Sequence, residues 1–232
     1  MPRDRIQPLN AVTHWLSLSI WIAIGLFVFV IAAFRMQSGF AVDRAFPVPI
    51  YMVMGVPVPH GAYVQAAQTL QHANPKDGEA MIAAAEAATR AGALPLQVIP
   101  RARLGLQKSP ASARGWTLLA EEYLAERRGP EATRALSTAL LLSPFDYWIA
   151  GRRAHVAAAL LDDLDHDTRA SADRQAELLW ETPGLRDEIP GLLRAPGGRR
   201  LMAEALATDS QSVRALNRWL AGERRRQQGI AP

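Results

Sequence analysis

Three patterns of apolar and polar positions follow one another along this chain, and each predicts a different kind of element. From Ile6 to Phe34 no residue carries a formal charge, and from Leu16 to Phe34 almost every residue is apolar, with Arg5 and Arg35 bracketing the stretch. A bilayer-spanning helix needs about 20 apolar residues in a row, so residues 14–35 are predicted to form a transmembrane helix after a tail of residues 1–13. Residues 36–62 contain the run FPVPIYMVMGVPVPHG, with Pro47, Pro49, Pro57 and Pro59 in two Pro-Val-Pro units. Proline removes backbone donors and biases its predecessor toward extended geometry, which argues for a tether rather than a helix or an inner strand. From about Tyr63 the apolar positions recur with helical spacing, and no convincing alternating strand occurs.

Between Ala113 and Asp146 the helical pattern is clearest. Ala113, Trp116, Ala120, Tyr123 and Leu124 share one face of a first helix; Gly129 and Pro130 end it and open a second; Ala132, Ala135, Leu136, Ala139 and Leu140 form the inner stripe of that second helix. Upstream, EAMIAAAEAATRAG is amphipathic, but Pro95 and Pro100 are expected to disturb its partner helix. Downstream, Phe145, Trp148, Ile149, Val156 and Leu160 mark another first helix. Its partner holds Ala172, Ala176, Leu179 and Trp180, after an insertion around Asp162–Asp167. Pro183, Gly184, Pro190, Pro196, Gly197 and Gly198 predict an irregular crossing. Two last helices are expected around Arg199–Ala207 and Ser210–Ala221, the second capped by Asp209 and packed through Val213, Leu216 and Leu220.

The Ser-Pro dipeptides at Ser109 and Ser143 put Pro110 and Pro144 34 positions apart. In the 34-residue window 113–146, Trp116, Leu119, Ala120, Tyr123, Ala132, Leu136, Ala139 and Pro144 occupy the positions of a helical-repeat signature. The window resembles the tetratricopeptide repeat, with Ala120 in place of its Gly and Leu136 in place of its Phe; the neighbouring units match less well, and Arg153 stands where the signature has Leu. The resemblance implies an all-α fold with a short tetratricopeptide-like α-solenoid over residues 63–222, which follows the predicted N-terminal transmembrane helix and precedes a basic tail over 223–232. It also implies that Arg114, Thr117, Glu121 and Leu124 line a groove able to take a peptide or protein. Members that bind chaperone tails clamp a carboxylate with Lys and Asn there, and Glu121 argues against that use. The layout of anchor and short Arg/Ala-rich repeat domain is similar to small helical-repeat proteins of bacterial surface-polysaccharide synthesis and export.

Two further readings concern the membrane. A cleaved signal peptide would have a shorter apolar core and a small-x-small cleavage site, whereas Phe34, Arg35 and Met36 follow Ala32 and Ala33 here. Arg3 and Arg5 on one side nearly balance Arg35 and Arg44 on the other, so the orientation rests on architecture: a single-pass inner-membrane protein with its helical domain in the periplasm. The tether is too apolar for a free linker. It is expected either to pack on its own domain or the membrane surface, or to dock through Ile50, Tyr51, Met52 and Met54 on an integral membrane partner.

Composition removes several chemistries and adds none. The chain has 232 residues and no Cys, which excludes disulfides, thiolate catalysis and Cys-ligated metals. Its formal charge is +4, and Lys occurs only at Lys76 and Lys108. No phosphate loop, dinucleotide fingerprint, nucleophile elbow or zinc-protease motif occurs. Asp163, Asp165 and Asp167 have the spacing that opens a calcium loop, but Thr168 and Arg174 stand where Gly and Glu are needed. They are therefore expected to form an acidic loop. Arg224, Arg225 and Arg226 read as a solvated helix end, and no aromatic platform argues for nucleic acid. No cofactor, metal or catalytic residue is expected. The chain reads as a non-enzymatic scaffold or accessory protein of an inner-membrane assembly. The alternatives are a subunit of an energy-converting or transport complex, and a divergent glycan-active enzyme using Glu121 or Glu122. The second needs paired carboxylates on facing elements.

Overall fold

Four side chains set where the central helices begin. Asp77 accepts hydrogen bonds from the amides of Glu79 (2.9 Å) and Ala80 (3.3 Å), Ser112 from Gly115 (3.3 Å), Asp146 from Trp148 (3.1 Å) and Asp165 from Thr168 (2.8 Å). Each satisfies amide groups that a helix start leaves without partners. The first three caps lie 35 and 34 residues apart.

The computed structural model describes residues 58–73 and 75–227, together with Leu26 and Phe29. The helices are α1 (His60–Ala73), α2 (Gly78–Arg90), α3 (Pro95–Lys108), α4 (Ala113–Ala125), α5 (Gly129–Leu142), α6 (Tyr147–Ala159) and α7 (His166–Glu181). They are followed by the single turn α8 (Ile189–Leu192), then α9 (Gly198–Ala205) and α10 (Ser210–Gln227). Short 3-10 turns occupy Leu161–Asp163 and Pro183–Glu188. Every regular element among the described residues is helical, so the fold class is all-α.

Consecutive helices pack as hairpins: α2 with α3, α4 with α5, α6 with α7. The first helices also touch in series, α2 on α4 and α4 on α6. Small residues permit that approach. Ala85, Ala120 and Ala154 occupy equivalent positions of α2, α4 and α6, and all are fully buried. Helix α1 covers the outer side of α2 through Ala66, Leu70, Ala83, Ala84 and Ala87. The other end of the row is closed by the 183–188 turn, α8 and α9, which lie on α6 and α7.

Several expectations are corrected. Pro95 and Pro100 do not break the second helix of the first hairpin. Pro95 opens α3 at its first position, where its missing N–H has no intrahelical acceptor to lose. Pro100 is exposed, and so is Leu96 one turn earlier, so water can replace the lost donor. The helical part starts at His60 rather than Tyr63, and the last helix runs to Gln227, taking Arg224, Arg225 and Arg226 into its end. Ile149, Val156 and Leu160 are buried as the periodicity requires, but Phe145 and Trp148 are 74% and 49% exposed. The irregular crossing has a steric cause. A Cβ on Gly197 (φ +70°) would lie 2.2 Å from the Ala158 carbonyl oxygen, and one on Gly198 would lie 1.9 Å from that of Leu192.

Among the described residues no helix is long and apolar enough to cross a membrane. The predicted span lies outside them apart from Leu26 and Phe29, which are helical and exposed. Tyr51, Met52 and Met54 also lie outside them.

Candidate functional site

The shared face of α2, α4 and α6 carries a four-residue ionic lattice. Glu86 of α2 is almost fully buried and receives both Arg114 of α4 and Arg152 of α6. Arg152 reaches back across the face and also clasps Glu121 of α4, with Nε donating to Oε1 at 2.7 Å and Nη2 pairing with Oε2. Two carboxylates and two guanidinium groups therefore tie α2, α4 and α6 together. Burial favours the neutral form of Glu86, but Arg152 and Arg114 outweigh it and hold its pKa below the ordinary carboxylate value. Burial likewise opposes the charge on Arg152, and the carboxylates of Glu121 and Glu86 overcome it, raising its pKa. The lattice is neutral in sum and meets solvent mainly at Arg114 and Glu121, whose side chains are 23% and 27% exposed.

The four groove residues expected from the sequence fall in unequal settings. Arg114 and Glu121 belong to the lattice. Thr117 is fully buried; its hydroxyl donates to the Ala113 carbonyl at 2.8 Å and accepts from Arg153 Nε at 3.3 Å. Leu124 is half-buried against the core. Glu122 points away from Glu121. It accepts a 2.6 Å hydrogen bond from Thr89 of α2, and burial raises its pKa despite that bond. The two adjacent glutamates thus hold different partners and do not converge on one point. Glu86 and Glu121 do converge, but on Arg152, and Glu86 is kept ionised rather than poised to donate a proton.

The sequence reading missed Glu86 and Arg152. A signal for Glu86 was present, since it stands nine residues after its cap, as Glu121 does after Ser112. Arg152 has no counterpart in the other hairpins. Trp116 is only partly buried. Its indole N–H donates to the Pro110 carbonyl at 2.9 Å, and the ring lines an outer groove of about 550 Å³ with Leu119 and Tyr123. In the acidic loop, Asp165 serves as a cap and Asp162 pairs with Arg200 of α9. Among the described residues no group of three or more His, Asp or Glu side chains is placed to hold a metal ion.

A second surface feature was not anticipated. Leu141, Leu142, Phe145, Tyr147 and Trp148 are all exposed, and the rings of Tyr147 and Trp148 lie 4.5 Å apart. They sit at the α5–α6 connection and include every exposed Phe, Tyr or Trp among residues 58–227. No protein-family model matches this chain, and no curated protein matches it.

Proposed function

We propose that this chain is a single-pass membrane scaffold whose tetratricopeptide-like solenoid holds together an inner-membrane assembly, without catalysing a reaction. The observation that carries the reading is the serial packing of α2, α4 and α6 with caps 35 and 34 residues apart. Stacked hairpins of this period bury their cores against one another and leave extended surfaces for partners. The lattice supports a structural role for the shared face, because its charged groups satisfy each other. The span over residues 14–35 and the tether with Tyr51, Met52 and Met54 are proposed to supply the main contacts with an integral membrane partner. The periplasm is the proposed side for the helices, and surface-polysaccharide synthesis or export is the proposed setting.

The test is affinity purification of the full chain in mild detergent, with and without residues 46–59 replaced by a Gly/Ser linker of equal length. The expected result is a co-purifying membrane protein that the replacement removes while helical circular dichroism is retained. A partner held equally well by both forms would move the interface to the helices or the span. A chain that recovers no partner and turns over a glycan would overturn the reading.

A further inference from the structure

The α5–α6 connection contradicts the usual rule for loops. Across residues 141–148 the only ionisable side chains are Asp146 and Tyr147, while Leu141 and Phe145 are 83% and 74% exposed. Contiguous exposed apolar side chains mark a contact surface. None of the five apolar residues lines the groove beside Trp116 or the one beneath α10.

What lies beneath it is equally unusual. Arg153 is fully buried and forms no ion pair among the described residues; it donates from Nη1 to the Ser143 carbonyl. Gln175 of α7, also buried, donates to the Pro144 carbonyl at 2.7 Å. Asp146 is engaged by the Trp148 amide. Two buried polar side chains thus fix the loop backbone from beneath, leaving its apolar side chains on the outside.

We infer that residues 141–148 contact the bilayer, with Leu141, Phe145 and Trp148 entering the interfacial zone. Trp and Tyr combine an apolar body with a polar tip and favour that zone. This rests on the membrane-anchor part of the proposed function, which puts a bilayer in the same chain. Residues 36–57 separate the expected span from the described helices. Fully extended they reach about 70 Å, more than three times the roughly 20 Å length of α1, which leaves room for the helical domain to turn either end toward the bilayer.

The chain has no Cys, so single labels are clean. The full chain, reconstituted in phosphatidylcholine/phosphatidylglycerol nanodiscs, would carry a fluorophore at Leu141→Cys, at Glu126→Cys on the opposite end of the helices, or at Gly25→Cys in the expected span. Lipids with a quencher near the headgroup are expected to quench position 141 about five-fold more than position 126, and lipids with a quencher deep in the acyl chain to quench position 25, the middle of the expected span. Phe145→Ser with Trp148→Ser is expected to abolish that difference while position 25 stays quenched. Equal quenching at 141 and 126 overturns the inference. So does a label at 141 that is shielded from aqueous iodide yet untouched by the lipid quencher, which would identify a protein or second copy as the occupant. An unquenched position 25 would instead remove the anchor reading. The loop is then judged by sedimentation of the full chain with liposomes of the same lipids. The double substitution should lower binding about five-fold, and unchanged binding overturns the inference.

Discussion

The α4/α5 and α6/α7 hairpins use the same register and fill it by different means. Seven residues after its cap, α4 carries Leu119 and α6 carries Arg153; both are buried. Leu119 belongs to the apolar core cluster and borders the outer groove. Around Arg153 the interior is polar, because the guanidinium serves Thr117 and the Ser143 carbonyl at once. Burial pushes the Arg153 pKa down to about 10, so the group remains charged at neutral pH. Five residues after the cap, Thr117 is matched by Gly151. A Cβ on Gly151 would lie 3.1 Å from Glu188 Cγ, so the missing side chain admits the 183–188 turn. The second hairpin has traded apolar filler for donors and space. What this teaches is that a position in a helical hairpin prescribes a volume and a direction, while its chemistry follows from the neighbours it meets.

The strongest way to break this comparison is to move the charge. Leu119→Arg would put a guanidinium into the core cluster to which Leu119 belongs and is expected to cost about 4 kcal/mol or more. Urea unfolding of the full chain in detergent, followed by circular dichroism, checks it; a small loss would mean that the first hairpin tolerates buried charge too. Next in size is Glu86→Gln, which deprives Arg114 and Arg152 of their shared carboxylate and is expected to cost about 3 kcal/mol near neutral pH. The folded-state pKa of Glu86 is lowered. Its contribution is therefore complete above the unfolded value of about 4.3 and lost as pH falls through the folded one. The stability gap between native protein and variant should close below that value, and a gap constant down to pH 2 would count against the lattice.

Arg153→Leu converts the second hairpin to the filler of the first. It keeps volume but leaves the Ser143 carbonyl without its donor, for an expected loss of about 2 kcal/mol. Hydrogen exchange should also quicken at residues 141–148; unaltered exchange there would detach Arg153 from the loop. The smallest effect concerns the hairpin turns. Gly92 (φ +79°) in the α2–α3 turn is matched by Arg127 (φ +57°) in the α4–α5 turn. A non-glycine residue in the left-handed region costs about 1 kcal/mol, so Arg127→Gly is expected to raise the melting temperature by a few degrees. No rise would mean that Arg127 gains from contacts what it loses in backbone strain.

Much of the fold was legible because it depends on local chemistry. The spacing of Ala113, Ala120, Tyr123 and Leu124 follows from the helical period, and the break at Gly129-Pro130 follows from backbone restriction. The inner stripe of α7 at Ala172, Ala176, Leu179 and Trp180 was equally readable, and all four are buried. Pro100 misled because a proline inside a helix is penalised only as far as its lost hydrogen bond is missed, and that depends on exposure. Phe145 and Trp148 misled because apolar character predicts a contact without saying whether the partner belongs to the same chain.

The candidate site divides along the same line. The sequence by itself determined which helix faces are apolar and where most of the breaks between helices fall, since glycines, prolines and side-chain spacing act within a few residues of themselves. Only the tertiary structure decided that Glu86, Arg114, Glu121 and Arg152 form one lattice, and that Thr117 is an internal partner of Arg153 rather than an open groove position. Those pairings join residues 28 to 66 positions apart. Long flexible Arg side chains can choose among several carboxylates. The choice is made by which helices lie side by side and by the exclusion of water between them.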